Sequence, residues 1–162
     1  MPVNSKHKIL LFEDVVALAT TFGTHLENDG AEVHICHTAA DALGKLDRNV
    51  YSLILLDLQL PDSDGLDVLR KIRQKGIDTN VVVVTSDAST DKTVEAMRMG
   101  ARDYLVKPLT PDRLLVTVRN TLELVSLEEL IRSENKLESF EGFIGSSHVM
   151  QAIYRTIENI SQ

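Results

Sequence analysis

The sequence predicts an α/β domain with a doubly wound, five-stranded parallel sheet. Five short apolar or β-branched runs alternate with longer segments that have helical spacing. Four of the runs are nearly continuous, which is typical of strands buried on both faces between layers of helices. Strands that alternate with helices favour right-handed βαβ units. A length of 162 residues fits one such domain with a short attachment.

The positions of the elements follow from these runs in chain order. The first strand is expected at residues 8–12, and a more alternating second strand at 31–36. The remaining strands are expected at residues 52–56, 81–85 and 103–106. Segments with helical spacing predict helices at about 15–28, 39–48, 65–75, 90–99 and from 111 onwards.

The last helix is predicted to continue beyond the domain. Pro111 suits a first helical turn, and neither proline nor glycine interrupts the chain from there to about Leu137. A heptad seam is formed by Leu115, Val118, Leu122 and Val125, and Leu130 and Leu137 resume one in another phase. Two interpretations stay open: a core helix with a solvated extension, or a linker helix that pairs with its twin in a dimer.

A new pattern begins after residue 142. Ser146 or Ser147 can cap a helix whose apolar stripe is Val149, Met150, Ile153, Ile157 and Ile160. Such an apolar stripe has to pack against another surface. The helix either folds back on the first domain or opens a second domain that has been cut off.

Composition excludes several classes of function. The chain has 17 basic and 24 acidic residues, a net charge of −7 and no basic stripe, so direct nucleic-acid binding is not expected. No apolar run approaches the roughly 20 residues of a membrane span, and the N-terminus lacks the apolar segment of a signal peptide. The single cysteine, Cys36, indicates a reducing compartment. We expect a cytoplasmic protein with no membrane contact.

Polar residues mark the carboxyl ends of the predicted strands. Glu13 and Asp14 follow the first strand, Asp57 follows the third, Thr85 ends the fourth and Lys107 follows the fifth. Ligands of doubly wound sheets bind at this edge. Each residue has an ordinary explanation when taken singly, such as a helix cap or a turn. Those explanations would all have to coincide at one edge, so the pattern favours a functional site.

These residue types suit phosphoryl transfer to a carboxylate. Three neighbouring carboxylates repel one another and favour a bound cation, and oxygen ligands favour Mg²⁺. A metal beside Asp57 can orient a phosphoryl group for in-line attack by the carboxylate. The Lys107 ammonium and the Thr85 hydroxyl can bind phosphoryl oxygens. The expected product is an aspartyl phosphate.

The sequence resembles the receiver domain of bacterial two-component response regulators over about residues 7–122. The matching motifs are Glu13–Asp14, the segment 57–65 (D-x-x-L-P-x-x-x-G), Thr85–Ser86, Gly100–Ala101 and the segment 104–108 (Tyr-Leu-Val-Lys-Pro). The resemblance implies a flavodoxin-like fold with strand order 2-1-3-4-5. It also implies a phosphoprotein of a two-component system or phosphorelay, with a histidine kinase or a histidine phosphotransfer protein as donor.

The resemblance assigns a role to each acidic residue of the site. Asp57 is the implied phosphoacceptor. Asp14, Asp57 and the backbone carbonyl of Gln59 are the implied Mg²⁺ ligands, and Glu13 acts through a metal-bound water. Glu13 replaces the commoner aspartate, which could alter metal affinity or the lifetime of the phosphate. Beyond weak self-catalysed phosphotransfer and dephosphorylation, the chain is not expected to be an enzyme.

The resemblance also implies a switch. Thr85 and Lys107 contact the phosphoryl group, and the Lys107–Pro108 peptide bond is expected to be cis. On phosphorylation the Thr85 hydroxyl is drawn toward the phosphate and the Tyr104 ring rotates inward. This movement reshapes the face formed by the fourth helix, the fifth strand and the fifth helix. That face, like the linker helix, is a candidate homodimer interface.

The C-terminal segment resembles the start of the AAA+ ATPase domain of NtrC-type sigma-54-dependent activators. The similarity lies in residues 143–157, within which Ile-Gly-Ser-Ser and Tyr-Arg-Thr-Ile resemble quorum-sensing phosphorelay regulators of transcription. The implied domains are a receiver at 1–122, a helical linker at 123–141 and a truncated ATPase at 142–162. The sequence contains no G-x-x-x-x-G-K-[ST] motif, so these residues alone are not expected to hydrolyse ATP.

The residues at these positions bear on three other functions. A flavodoxin-like electron carrier needs a Ser/Thr/Gly-rich phosphate loop after the first strand, where this chain has Glu-Asp-Val-Val. A haloacid-dehalogenase-type phosphatase needs a D-x-D pair there. A degenerate receiver, acting as a phosphorylation-independent binding or dimerisation module, would lack Asp57, Thr85 or Lys107, and all three are present.

Overall fold

The computed structural model describes residues 7–141 together with Thr156, Asn159 and Ile160. The chain divides into two compact units, residues 1–121 and residues 122–162. The helix expected near residues 146–160 lies almost wholly outside the described residues. Among the described residues, no helix combines the length and the hydropathy that a membrane-spanning segment requires.

The first unit is built on a single five-stranded sheet whose strands are all parallel. Its strand order is β2-β1-β3-β4-β5, which confirms the predicted flavodoxin-like topology. The strands are β1 (Lys8–Phe12), β2 (Glu32–Cys36), β3 (Leu53–Leu56), β4 (Asn80–Thr85) and β5 (Ala101–Val106).

Five helices follow the strands, close to the predicted positions. They are α1 (Val16–Asn28), α2 (Ala39–Arg48), α3 (Gly65–Gln74), α4 (Thr90–Arg98) and α5 (Pro111–Glu141). Side chains cap three of the helix starts: Thr38 accepts a hydrogen bond from Asp41 N–H, Asp64 accepts one from Leu66 N–H, and Thr110 accepts one from Arg113 N–H. The Pro111 start of α5 agrees with the prediction.

The central strands supply most of the core. Every residue of β3 is buried, and so are residues 81–85 of β4. Leu10 and Ile54, which pair in the register of β1 and β3, are both fully buried. Edge strand β2 is only partly covered, in keeping with its alternating sequence. The continuous apolar runs therefore predicted burial on both faces of the sheet correctly.

Two elements are longer than the sequence suggests. Strand β5 begins at Ala101 rather than at residue 103, because a register irregularity between Val81 and Val82 lets Ala101 pair with Val81. Helix α5 continues to Glu141 rather than ending near Leu137.

The burial along α5 revises the heptad seam. Leu114 and Val118 are fully buried in the single chain, whereas Leu115 is only partly buried. Val118 is therefore a core residue and is not available to a second copy. By contrast, Leu130 is 54% exposed. The first turns of α5 therefore pack in the core, as the core-helix interpretation predicts. A dimer seam would have to lie nearer the C-terminal end of this helix.

Candidate functional site

The carboxyl ends of β1 and β3 bring an acidic cluster together. Backbone pairing continues past both strands: Glu13 N–H donates to the Cys36 carbonyl, and Asp57 N–H donates to the Phe12 carbonyl. Carboxylate oxygens of Glu13, Asp14 and Asp57 all lie within 4.8 Å of one another. Glu13 and Asp57 are 1% and 3% exposed, whereas Asp14 is exposed. This oxygen-only set suits a hard cation.

Lys107 balances part of this negative charge. Its ammonium donates to Glu13 Oε2 at 2.5 Å and to Asp57 Oδ2 at 2.8 Å. Burial opposes the charged form of Lys107, but the hydrogen bonds to the two carboxylates outweigh it and raise the pKa of Lys107. Burial raises the pKa of Glu13, and the bond from Lys107 offsets part of that rise. The ammonium is therefore held charged beside Asp57.

The second oxygen of Asp57 is fixed by the loop that follows β3. Gln59 N–H donates to Asp57 Oδ1 at 2.9 Å. The loop turns back on itself, because Gln59 bridges to Asp64 and Gly65 N–H donates to the Leu58 carbonyl. A Cβ atom at Gly65 would lie 2.3 Å from Leu58 Cα, so only glycine fits this approach. The final glycine of the 57–65 motif therefore shapes the loop around Asp57.

A second anchor for this loop was not found from the sequence. Asp62 accepts hydrogen bonds from the N–H groups of Ala39 at 2.8 Å and Ala40 at 3.1 Å, at the start of α2. These bonds hold the pKa of Asp62 below its usual value. They bind the loop after β3 to a neighbouring helix, a contact that no local sequence signal reveals.

Thr85 lies beside Lys107 at the end of β4. Lys107 N–H donates to the Thr85 carbonyl at 2.8 Å, and the Thr85 hydroxyl accepts a hydrogen bond from Asp87 N–H at 3.3 Å. Thr85 is fully buried. The Lys107–Pro108 peptide bond is cis.

Tyr104 is joined to this edge through Asp87, a residue that the sequence did not single out. The Tyr104 ring is partly buried against the main apolar core. Its hydroxyl donates to the Asp87 carbonyl at 2.5 Å. Burial raises the pKa of the Tyr104 phenol. The ring thus already lies inward, and Thr85 and Tyr104 share one partner in the loop between β4 and α4.

Glu13 also has a local structural role. Its Oε1 accepts a hydrogen bond from Val15 N–H at 3.1 Å, just before α1. The residue at the helix cap is Val15, whose side chain makes no capping bond. One carboxylate oxygen of Glu13 therefore accepts from the backbone just before α1, while the other accepts from the Lys107 ammonium.

An apolar cleft opens next to the cluster. It has a volume of about 310 Å³ and is lined by Leu18, Phe22, Ser86, Lys107, Pro108 and Leu109. The lining comes from α1 and from the segments after β4 and β5. The sequence did not predict this cleft, because its lining residues are far apart along the chain.

Comparison with known proteins places this geometry in a family. Residues 9–119 match the response regulator receiver domain. The chain is 42% identical over 150 residues to the regulatory protein LuxO of Vibrio cholerae. The aligned region covers 92% of this chain and 32% of LuxO. It is 35% identical over 166 residues to the alginate biosynthesis transcriptional regulatory protein AlgB of Pseudomonas putida, covering 98% of this chain and 36% of AlgB.

A solved structure has the same fold. The signal receiver domain of a putative LuxO repressor protein from Vibrio parahaemolyticus superposes with a TM-score of 0.74 and 36% sequence identity. The match covers 77% of this chain and 96% of that one. This chain spans about a third of the length of the curated relatives that it matches.

Proposed function

The chain belongs to the response regulator receiver family, and from that premise we propose that Asp57 accepts a phosphoryl group from a phosphohistidine. The donor is a histidine kinase or a histidine phosphotransfer protein. The observation that carries the proposal is the cluster in which the carboxylates of Glu13 and Asp14 and the Lys107 ammonium surround the Asp57 carboxylate. A receiver acting only as a binding module is not favoured, since it would not need Asp57, Thr85 and Lys107 together.

Mg²⁺ is the proposed cofactor. Asp14, Asp57 and the backbone carbonyl of Gln59 would hold the ion, and Glu13 would act through a bound water. The donor set supports this assignment, because it offers only oxygen atoms and because two of the carboxylates are buried. When bound, Mg²⁺ neutralises phosphoryl charge and orients the group.

The chain's own residues carry out the transfer. A carboxylate oxygen of Asp57 forms a bond to phosphorus while the bond from phosphorus to the donor nitrogen breaks, and its electron pair returns to the imidazole. Lys107, already 2.8 Å from Asp57, binds one phosphoryl oxygen. Thr85 accepts from Asp87, which leaves its own hydroxyl proton for another phosphoryl oxygen.

The proposed output of phosphorylation is a change in the face formed by α4, β5 and α5. Thr85 and Tyr104 are the proposed switch residues. The face carries exposed apolar side chains: Val94, Met97, Val106 and Val116. Such side chains support a docking role for this face, with the downstream domain or a second copy of the chain as occupant.

The proposed whole protein is longer than this chain. We infer a receiver at 1–122, a linker at 123–141 and the start of an AAA+ ATPase at 142–162, in a cytoplasmic sigma-54-dependent regulator of quorum-sensing type. The similarity to LuxO and AlgB supports this arrangement. The receiver would control the downstream ATPase, and the extension of α5 would support a homodimer. Direct nucleic-acid binding by this segment is not proposed.

Chemical trapping tests the assignment of Asp57. The protein is incubated with acetyl phosphate and Mg²⁺, and borohydride then reduces the acyl phosphate to an alcohol. We expect homoserine at position 57 in the peptide masses, and none after omission of acetyl phosphate. Homoserine at position 14 or 62 instead would refute the assignment.

A further inference from the structure

Thr85 and Tyr104 are connected through the backbone of a single residue. Asp87 N–H donates to the Thr85 hydroxyl at 3.3 Å, and the Asp87 carbonyl accepts from the Tyr104 hydroxyl at 2.5 Å. Both contacts depend on where the backbone of Asp87 lies. Whatever fixes this loop residue therefore also fixes the inward position of the Tyr104 ring.

The Asp87 side chain fixes its own backbone to the start of α4. Its Oδ1 accepts from Ser89 N–H at 2.9 Å, and its Oδ2 pairs with the Lys92 ammonium at 2.9 Å. The two charged side chains are 24% and 34% exposed, so solvent only partly screens the pair. The bond from Lys92 is the main reason why the pKa of Asp87 lies at about 2.

Helix α4 has one buried residue, Ala96. Near its N-terminal end, the Thr93 side chain also forms a hydrogen bond with Tyr104. At the other end, Arg73 donates to the carbonyls of Met99 and Gly100, at 3.1 Å and 3.0 Å. The C-terminal end is thus anchored to α3, whereas the position of the N-terminal end depends on the loop that contains Asp87.

We propose that the Asp87–Lys92 ion pair is a positioning element that holds the Asp87 carbonyl where it receives the Tyr104 hydroxyl. The pair thereby sets the fraction of unphosphorylated protein whose Tyr104 ring is inward. This inference rests on the proposed function, in which phosphorylation favours the inward ring. When more of the free protein already has the ring inward, a phosphoryl group or its mimic binds with higher apparent affinity. Less of its binding free energy is then spent on moving the ring.

The test compares variants in two measurements. Protein containing 3-fluorotyrosine is titrated with beryllofluoride in Mg²⁺, and ¹⁹F NMR follows the Tyr104 signal, assigned with Tyr104→Phe. For Lys92→Gln we expect apparent beryllofluoride affinity to fall about two- to fivefold, the range of a partly exposed ion pair. We also expect the Tyr104 signal of the free protein to move away from its position in the bound wild type.

Two further variants control for charge and for folding. Lys92→Arg keeps the ion pair and should bind beryllofluoride as the wild type does. Lys75→Gln removes a comparable pair, Lys75–Asp47 at 2.7 Å, and should leave both measurements unchanged. Thermal midpoints of all variants verify that each is folded. The positioning role is supported if Lys92→Gln is the only one of these three variants that loses affinity for beryllofluoride.

The other outcomes overturn the inference in distinguishable ways. Equal affinity and an unchanged Tyr104 signal in Lys92→Gln would show that the pair positions nothing, and the proposed function would stand. Tighter binding by Lys92→Gln would show that the pair opposes the inward ring. If the wild type shows no beryllofluoride binding that depends on Asp57, the proposed function fails and this inference fails with it.

Discussion

The Lys107 ammonium lies 2.8 Å from Asp57 Oδ2, although fifty residues separate them along the chain. Strand β4 stands between the two strands that carry them. Neighbouring strands are about 4.8 Å apart, so β3 and β5 are roughly 10 Å apart, and only a long side chain can cross that distance. Lys107 also reaches Glu13 after β1. One ammonium thus joins three strand ends into a single site.

The first prediction concerns Gly65. In Gly65→Ala the new methyl group would meet the Leu58 backbone, so we expect the free energy of unfolding to fall by about 1–3 kcal/mol. Because the same loop positions Asp57, phosphorylation by acetyl phosphate should also slow. Urea denaturation and intact mass measure the two effects.

Gly44→Ala is the matched control. Nothing lies within 4 Å of a Cβ at Gly44, which is inside α2, so alanine should raise the free energy of unfolding by about 0.5–1 kcal/mol. Similar effects at the two positions would contradict the close approach assigned to Gly65.

A second prediction concerns Arg73, whose guanidinium donates to four backbone carbonyls. A lysine cannot reproduce the planar fork, so Arg73→Lys should lower the free energy of unfolding by about 1–3 kcal/mol. The control is Arg70→Lys, because Arg70 makes exposed ion pairs with Asp67 and Glu95. This substitution should lower the free energy of unfolding by less than about 1 kcal/mol. Equal losses in urea denaturation would refute the role of Arg73.

The third prediction is a pH dependence at Asp87. The hydrogen bond from Lys92 lowers the pKa of Asp87 from 3.8 to about 2. An acid with a lowered pKa in the folded state stabilises the protein above its unfolded pKa, and this stabilisation is lost as the pH falls through the folded value. The wild type should therefore be more stable than Asp87→Asn at pH 5, with the difference shrinking as the pH falls from about 4 to about 2 and vanishing only below that. A difference in urea midpoint that stays constant over this range would be incompatible with the ion pair.

The fourth prediction tests the homodimer. Leu130 is 54% exposed in the second unit, so it is a candidate seam residue. Sedimentation velocity should show concentration-dependent dimers, and Leu130→Glu should weaken association about tenfold or more. Val50→Glu, at a side chain 88% exposed in the first unit, should have no effect. Monomers alone at high concentration, with and without beryllofluoride, would rule the dimer out.

The sequence allowed the strands and the site edge to be predicted for one physical reason. Parallel strands buried on both faces are continuous apolar runs, and the first polar residues after them, such as Glu13 and Asp57, mark the edge where ligands bind. The roles of Arg73 and Asp87 could not be predicted in this way. Both depend on contacts that only the folded chain brings together: Arg73 donates to the carbonyls of Met99 and Gly100, and the Asp87 carbonyl accepts from the Tyr104 hydroxyl.

The packing of helices was also only partly predictable. The period of α5 suggested a heptad seam that included Val118, yet this residue is buried in the single chain. A core stripe and a dimer seam have nearly the same spacing over two turns. Only the position of the sheet decides which apolar face is covered.

The most direct test of the central claim is the intact mass of the protein after incubation with acetyl phosphate and Mg²⁺. The wild type should gain one phosphoryl group, Asp57→Asn should gain none, and chelation of the metal should abolish the gain. A wild type that is folded but gains no mass, or an Asp57→Asn variant that gains as much as the wild type, would contradict the assignment of Asp57 as phosphoacceptor.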